Sequence, residues 1–386
     1  MTFRLRLSCL RHLWLIAALT MTSPALAQED PARAAVEAVT AIESATALLA
    51  RADEAPDRVA ALTETTRAFE AGLAAMREGL RRVTAREAEL SRELQAREGE
   101  IAQLLGTLQV MGGNGTPVIF LHPSGPLGTA RSAMIVADVS RGLDTRAADL
   151  RERLSEVQVL RQLQQNASDT LANGLRGVQE ARTDLSKAIA DRSDLPRKFV
   201  EDPIQTALLI ASTETLGAFA SGLTDITENE AALDLPTVRD RKGDIPQPVL
   251  GRVLRRPGEA DAAGITRPGV VLVTRPRAIV TSPTAATIRY RGPLLNLGNV
   301  MILEPEPGIL FVFAGLDVVY GASGDILAAG APIGLMGGQD PDLGALISAP
   351  ETPEDSVSGR SETLYIEVRQ DNIPQDPEAW FQGMKG

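Results

Sequence analysis

The sequence predicts an α+β protein of several domains, in which a long antiparallel coiled-coil hairpin precedes an all-β domain. A chain of 386 residues is long enough for two or three domains. Aromatic residues make up only 3% of it, which favours long helices packed through small and aliphatic side chains. Apolar residues recur at heptad spacing in the first half, whereas short β-rich runs separated by Gly and Pro follow Val249.

The N-terminal segment, residues 1–27, has the pattern of a secretory signal peptide. Arginines precede an apolar run from Leu13 to Met21, and Ala25-Leu26-Ala27 provides a cleavage site. The apolar run is shorter than the ~20 residues that a membrane-spanning helix requires. We therefore expect the protein to be exported and the segment to be removed.

The composition of the remaining chain limits its chemistry. The only cysteine, Cys9, and one of the two histidines, His12, lie in the predicted signal peptide, so His122 is the one histidine left. The whole chain has a net charge of −11, and the signal peptide removes arginines but no acidic residue. Because an acidic protein without a basic cluster has no footprint for nucleic acid, we expect no such partner.

Two runs of heptads predict the arms of the hairpin, which we place at residues 28–195. The first arm has Leu62, Phe69, Met76, Val83, Leu90 and Leu104 on one seam position and Leu73, Leu80, Leu94, Ile101 and Leu108 on the other. The second has Leu143, Leu150, Val157, Leu171, Val178 and Leu185, with Leu154, Leu175 and Ile189 as companions. Each arm would be about 70 Å long. A parallel dimeric coiled coil is the alternative, and an Ala-rich helix before Pro56 is expected beside the base.

A tip at about 109–142 joins the two arms. Gly and Pro between 112 and 126 forbid a continuous helix there. Phe120 and Ile135 belong to more apolar surface than a solvated turn requires, which predicts a docking site, with a self-packed tip as the alternative. His122, beside a proline, is expected to be a capping or surface residue or, alternatively, a contact to a partner.

A regulatory helix and a linker are predicted at 196–248. Prolines end the second arm, and apolar residues from Ile204 to Leu223 lie near one face of a separate helix, among them Leu208 and Phe219. A stretch rich in Pro and charge then leads to the next domain. A helix this apolar needs a surface to pack on.

The sequence predicts an all-β domain over residues 249–386. Predicted strands cover 270–274, 278–281, 287–290, 299–303, 309–313 and 363–368. The insertion at 337–360 is expected to be an irregular surface loop.

Four motifs in this domain resemble, in order, those of LytM/lysostaphin-type zinc peptidases. They are TRPGVVL at 266–272, GDILAAGAPIGLMGG at 324–338, LYIEVR at 364–369 and DPEAWF at 376–381. The resemblance implies a degenerate LytM-like domain. It places the family's zinc ligands at Arg267, Val271, Thr363 and Tyr365, and its other catalytic histidine at Gly315.

These residues predict no metal site, no cofactor and no enzyme activity. Catalytic zinc takes three protein ligands of His, Asp, Glu or Cys type. The remaining histidine lies far away in the chain, and Arg267 would place a fixed positive charge where the metal belongs. The count of one remaining histidine also excludes a peptidase whose catalytic histidines stand elsewhere in the chain.

Loss of the ligands would leave the substrate groove, which we predict to be a partner-binding groove. Its expected residues are Arg267, Val271, Leu297, Phe313, Gly315, Tyr365 and Arg369. An aromatic side chain and arginines suit such a groove to a peptide or a helix. The alternative is a decayed domain that serves only as a folding cap.

Taken in order, the signal peptide, hairpin, helix and ligand-free LytM domain resemble the EnvC family of murein hydrolase activators. The resemblance implies a periplasmic protein, peripheral to the inner membrane, that activates an N-acetylmuramoyl-L-alanine amidase for septal peptidoglycan splitting in cell division. It implies that the tip docks on the FtsE–FtsX membrane complex and that the helix restrains the groove, which could also contact peptidoglycan. Tyr365 and Arg369 match family residues that matter for activation, whereas Leu297 and Gly315 replace frequent tyrosines.

Two other functions stay open from the sequence. One is a murein-binding scaffold without an amidase partner. The other is an adaptor of a periplasmic export pump, because such adaptors also join a coiled-coil hairpin to a β domain. The helix at 204–223 could also pack permanently along the hairpin base instead of over the groove.

Overall fold

A computed structural model describes residues 31–113, 125–192, 195–225, 237–339 and 362–384. The predicted signal peptide, the tip residues Phe120 and His122, and most of the predicted surface loop lie outside these ranges. Within them, no helix combines the length and the apolar character needed to cross a bilayer.

Four helices make up the described part of the chain between residues 31 and 192. They are α1 (Pro31–Ala52), α2 (Arg58–Ala96), α3 (Glu98–Gly113) and α4 (Gly125–Asp191). The first arm is interrupted at Arg97, one of the polar positions in its heptads. Helix α4 begins inside the range predicted for the tip, residues 109–142. Pro126 allows this because proline is tolerated in the first turn of a helix.

Helices α2 and α4 run antiparallel. Arg182 Nη2 lies 2.9 Å from Glu70 Oε1, and Arg161 Nη2 lies 3.0 Å from Glu87 Oε1. The residue number thus rises along α2 while it falls along α4. Because the turn between the arms lies outside the described residues, the coiled-coil hairpin itself stays a prediction.

Burial follows one predicted seam in each arm and departs from the other in α4. Leu171, Val178 and Leu185 are buried as expected, but Leu154, a predicted companion, is 46% exposed. The predicted companions Leu175 and Ile189 are partly buried, and Ala147 is buried four residues after Leu143. The other buried companions lie three residues after the first seam instead of four, and they are Leu160, Ala167, Ala181 and Ala188. Small residues at these positions leave room for another helix.

That helix is α1, which packs beside the base as predicted. Ala38, Ile42 and Ala45 share one apolar cluster with residues of α2 and α4. A β-carbon at Gly72 would lie 2.9 Å from Ile42 Cγ1, and one at Gly174 would lie 3.2 Å from Ile42 Cδ1. The base is therefore a three-helix bundle.

The regulatory helix is two helices instead of the single one predicted over 204–223. Helix α5 (Pro203–Ser212) ends at Thr213, whose backbone is extended, and α6 (Leu216–Asp225) follows. Thr215 Oγ1 accepts a hydrogen bond from Ala218 N at 3.1 Å, which caps the start of α6. Hydroxyl side chains compete for backbone hydrogen bonds in this stretch, which explains the break.

Ten strands form one antiparallel sheet. They are β1 (Gly251–Arg255), β2 (Val270–Thr274), β3 (Ile279–Thr281), β4 (Ala286–Pro293), β5 (Asn299–Glu306), β6 (Ile309–Val319), β7 (Ile326–Leu327), β8 (Pro332–Met336), β9 (Glu362–Gln370) and β10 (Ile373–Gln375). The order is β1-β2-β9-β6-β5-β4-β7, with β10 beside β9 and with β8 paired to β3 and β6. All six predicted strands are present, whereas β1, β7, β8 and β10 were not predicted.

The described part of the predicted linker packs into the β domain. Val238 and Ile245 are fully buried in one apolar cluster with Trp380 and Phe381, which we call the inner core. These two residues of the predicted linker thus contribute to the core of the β domain.

A buried carboxylate joins the base of the bundle to the β domain. Glu70 Oε1 accepts hydrogen bonds from Arg182 Nη2 at 2.9 Å and from Ile279 N at 3.0 Å. Arg275 Nη1 donates to the carbonyl oxygen of Glu70 at 2.7 Å. Burial raises the pKa of Glu70, while Arg182 acts in the opposite direction. The bundle is thus fixed to the start of β3.

The chain that leaves α4 is also fixed to the sheet. Lys198 N donates to Gly324 O at 2.8 Å, and Ile326 N donates to Pro196 O at 2.9 Å. The buried Lys198 ammonium lies 3.4 Å from Glu304 Oε2. Any movement of α5 and α6 relative to the sheet must therefore pivot after Lys198.

Candidate functional site

Three polar side chains of β9 point to the same side of the sheet. Tyr365, Glu367 and Arg369 alternate with residues of the inner core, as the two-residue period of a strand requires. Tyr365 Oη donates to Glu367 Oε2 at 2.6 Å, and Arg369 Nη1 donates to Glu367 Oε1 at 2.6 Å. Glu367 is only 3% exposed, and both of its carboxylate oxygens are engaged in these two hydrogen bonds.

Close packing fixes the Tyr365 ring. Gly269 N donates to Tyr365 Oη at 3.1 Å, and a β-carbon at Gly269 would lie 2.6 Å from the ring. The exposed Arg267 places its guanidinium 5.8 Å from the ring centroid. Burial, and then the adjacent Glu367 carboxylate, raise the pKa of the Tyr365 phenol. Tyr365 is therefore a neutral hydrogen-bond donor at physiological pH.

Apolar side chains complete this side of the sheet, which we call the groove face. It consists of Tyr290 and Leu294, Val300 and Ile302, Leu310, Val312 and Ala314, and Tyr365, with Val271 and Leu297 partly buried at its margin. Each strand contributes alternate residues to it. The groove face is thus an extended apolar surface with one polar row along β9.

Helix α6 lies on the groove face. Phe219 and Ala220 are fully buried against it, together with Leu223. The Phe219 ring meets the Tyr290 ring edge to face, with centroids 4.7 Å apart. A β-carbon at Gly217 would lie 3.2 Å from Arg369 Nη1, so the backbone of α6 passes directly over the arginine.

Helix α5 supports α6 through a different residue from the one predicted. Leu208 is 69% exposed, so the prediction that it packs on the groove is wrong. Leu209 and Ile210 contact the groove-face cluster instead. A β-carbon at Gly222 would lie 2.4 Å from Leu209 Cδ1, which shows how closely α5 and α6 pack. The break between the helices rotates α5 and shifts its inward face by one residue.

The predicted groove residues converge with one exception. Val271 and Ala314 both stand opposite Tyr365 in the sheet, and Gly315, with φ +94°, would place a β-carbon 2.6 Å from the Thr363 carbonyl oxygen. Phe313 is the exception, because it packs in the inner core on the other side. Its neighbours Val312 and Ala314 face the groove.

The residues at the implied zinc positions do not fit a metal ion. Arg267, Val271, Gly315, Thr363 and Tyr365 supply neither imidazole nor carboxylate. Across the described ranges, no group of three or more His, Cys, Asp or Glu side chains is placed to hold a metal. We therefore derive no metal-dependent step at this site.

Of Phe120, His122 and Ile135, the three residues assigned to the tip, only Ile135 falls within the described residues. It lies on α4 and is 65% exposed. Leu127, Met134 and Val139 on the same part of α4 are also exposed. An apolar surface extends along this end of the helix.

Sequence reasoning missed Glu367, Tyr290 and Gly217. Glu367 had a signal, since it lies two residues from both Tyr365 and Arg369 and so on the same side of a strand. Gly217 had none, because its role depends on where α6 packs.

Comparison with known proteins gives likenesses in structure only. No family model matches the sequence, and no curated protein matches it. The chain is similar to a zinc containing peptidase from Vibrio cholerae, with 19% identity and a TM-score of 0.27 over 36% of this chain and 39% of that chain. It is similar to lysostaphin, with 16% identity and a TM-score of 0.27 over 37% of this chain and 58% of the other.

A further likeness is to a chain of the SpoIIQ–SpoIIIAH pore forming complex, with 20% identity and a TM-score of 0.28 over 38% of this chain and 94% of that chain. The present chain spans about two fifths of the length of the Vibrio cholerae peptidase. At such TM-scores these likenesses carry no conclusion about activity.

Proposed function

We propose that this protein is a periplasmic, non-enzymatic activator of N-acetylmuramoyl-L-alanine amidases that acts in septal peptidoglycan splitting during cell division. In this proposal the β domain is a degenerate LytM-like domain, and the groove face binds the amidase. The observation that carries the proposal is the position of α6, which buries Phe219 over the groove face and passes above Arg369.

A covered groove suits an activator that must be silent until it is needed. The apolar face of α6 occupies the surface that a partner helix would use, so α6 and the amidase compete for it. A ligand shifts such an equilibrium only by its differential affinity for the open state. If the cover is worth a few kcal/mol, the open state is populated to roughly 1% or less at rest.

The connections of α5 and α6 are compatible with release as a unit. The segment up to Lys198 is bonded to the sheet, whereas Val200 and Ile204 are largely exposed. None of the residues of α5 is buried. In the proposal, α5 and α6 leave the groove face by turning about the segment after Lys198, and the sheet stays intact.

The other end of the hairpin would connect the protein to the membrane. Leu127, Met134, Ile135 and Val139 expose apolar side chains on this part of α4, and exposed apolar patches mark interaction sites. We assign this patch to docking on the FtsE–FtsX complex. Replacing Ile135 with Asp should abolish that binding and leave amidase activation in solution unchanged; loss of both activities would refute a separate docking role.

Murein dye release by a purified amidase tests the activation. The intact protein should stimulate weakly, whereas Phe219→Asp should stimulate several-fold more because it removes the main contact of α6. Ala218→Asp is the matched control, since Ala218 is exposed on α6 and an acid in the first turn favours the helix. No stimulation by any of the three proteins would overturn the proposed function and favour a scaffold.

A further inference from the structure

The covering helix brings no acidic side chain to the arginine of the groove face. Helix α6 has the sequence LGAFASGLTD, in which the single charged residue, Asp225, stands at the far end from Gly217. Gly217 lies in its first turn, against the Arg369 guanidinium. The N-terminal end of a helix carries partial positive charge, so α6 presents the wrong sign to this arginine.

Arg369 is held rigidly but incompletely paired. Nη1 donates to Glu367, and Nη2 donates to the Asn372 carbonyl oxygen at 2.5 Å. The side chain is 7% exposed, and Nε has no hydrogen-bond acceptor within the described part of the chain. A buried donor without an acceptor is costly, so an additional acceptor above Arg369 would be favourable.

More positive charge lies at the adjoining edge of the groove face. Arg267 places its guanidinium 5.8 Å from the centroid of the Tyr365 ring. Glu367 is already occupied by Tyr365 and Arg369. Asp261 accepts hydrogen bonds from Ile265 N and Ala263 N of its own turn. These bonds lower the pKa of Asp261, and the charges of Arg255 and Arg267 act in the same direction, so Asp261 offsets part of the positive charge at this edge.

We propose that the groove selects a partner helix that keeps the apolar spacing of α6 and carries an acidic side chain where α6 has Gly217. The apolar spacing is that of Leu216, Phe219, Ala220 and Leu223, which contact the groove-face cluster. The carboxylate would pair with Arg369, and Arg267 beside the Tyr365 ring would add positive potential to the same face. This inference rests on the proposed function and gives the partner an advantage over α6 in the competition.

Peptides derived from α6 test the charge preference. Fluorescent peptides covering 212–225, with Gly217→Glu or Gly217→Gln, are titrated into the full-length Phe219→Asp protein. The two side chains are nearly isosteric and differ in charge, so both have the same steric relation to the arginine. The Glu peptide should bind at least about fivefold more tightly, since hydrogen bonds to charged groups are the stronger ones. Equal affinities would overturn the inference.

Two protein variants show whether the arginines cause the preference. Arg369→Gln and, separately, Arg267→Gln should each reduce the ratio between the two peptides and its dependence on salt. Arg267 is exposed, so its variant will fold even if Arg369→Gln does not. A Glu preference that persists unchanged in the Arg267 variant, and in a folded Arg369 variant, would refute the assignment of the site.

The outcomes separate this inference from the proposed function. Dye release stimulated by Phe219→Asp, together with no discrimination between the peptides, would preserve amidase activation and reject the acidic partner. Strong discrimination without any stimulation of the amidase would preserve the acidic helix as the ligand and reject activation.

Discussion

The ring of Phe219 in α6 meets the ring of Tyr290 in β4 edge to face, at a centroid distance of 4.7 Å and an interplanar angle of 76°. Phe219 has no exposed surface, and Tyr290 is nearly as buried. This pair places α6 over the groove face, and with α6 in place no other helix can occupy that surface. The contact therefore links the fold of the β domain to its availability for a partner.

Helix α5 offers a test that compares two neighbouring leucines, one packed and one exposed. Leu209→Asp should loosen the cover and raise amidase stimulation several-fold, because Leu209 packs against Gly222 and the groove-face cluster. Leu208→Asp introduces the same charge one residue earlier, at an exposed position, and should leave amidase stimulation unchanged. Equal dye release by the two variants would mean that α5 does not hold α6 in place.

The tyrosines predict the response to alkaline pH. Burial is the main cause that raises the pKa of Tyr290, Tyr320 and Tyr365 above the ordinary 10.0, and these are all the tyrosines in the chain. Above pH 10.0 the unfolded chain releases phenol protons that the folded protein keeps. The stability present below that pH is therefore lost as the pH rises towards the folded-state values.

A pH titration that monitors tyrosinate absorbance checks this loss of stability. Ionisation in the intact protein should begin above pH 10.0 and coincide with unfolding. In Phe219→Asp, whose α6 no longer covers Tyr290, part of the absorbance should appear earlier, before unfolding. Normal titration of all three phenols in the intact, folded protein would contradict the burial described for the groove face.

The contact between the helix bundle and the sheet predicts that one carboxylate, Glu70, contributes strongly to the free energy of unfolding. Glu70→Ala should lower the free energy of unfolding by about 3–5 kcal/mol, because it leaves the buried Arg182 without its acidic partner. Glu64→Ala, at an exposed position of the same helix, should change it by no more than about 0.5 kcal/mol. Urea denaturation compares them, and a similar small effect of both would show that the joint is not fixed by Glu70.

Several features could be read from the sequence because one local pattern determined them. The six predicted strands and the apolar seam of α2 follow from period and composition alone. The side of the sheet that Phe313 faces could not be read, because β6 is buried on both sides and its sequence ILFVFAGL has no polar alternation. The sequence therefore identified the strand but not its orientation.

The errors in the helices have two causes, packing against a third element and a break in the chain. In α4 burial shifted from Leu175, which is only partly buried, to Ala167 and Ala181, which share a cluster with residues of α1. The inward residue of α5 shifted from Leu208 to Leu209 because the chain breaks at Thr213. Neither shift follows from the periodicity of one helix taken alone.

Hydrogen exchange of the α6 amides, residues 216–225, measured with and without a bound amidase, tests the central claim most directly. In the protein alone these amides should be protected, because α6 is packed on the groove face around Phe219. Binding of the amidase should remove that protection while the amides of β9 and β6 stay protected. Protection of α6 that is equal in the free protein and in the complex would contradict displacement of the helix by its partner.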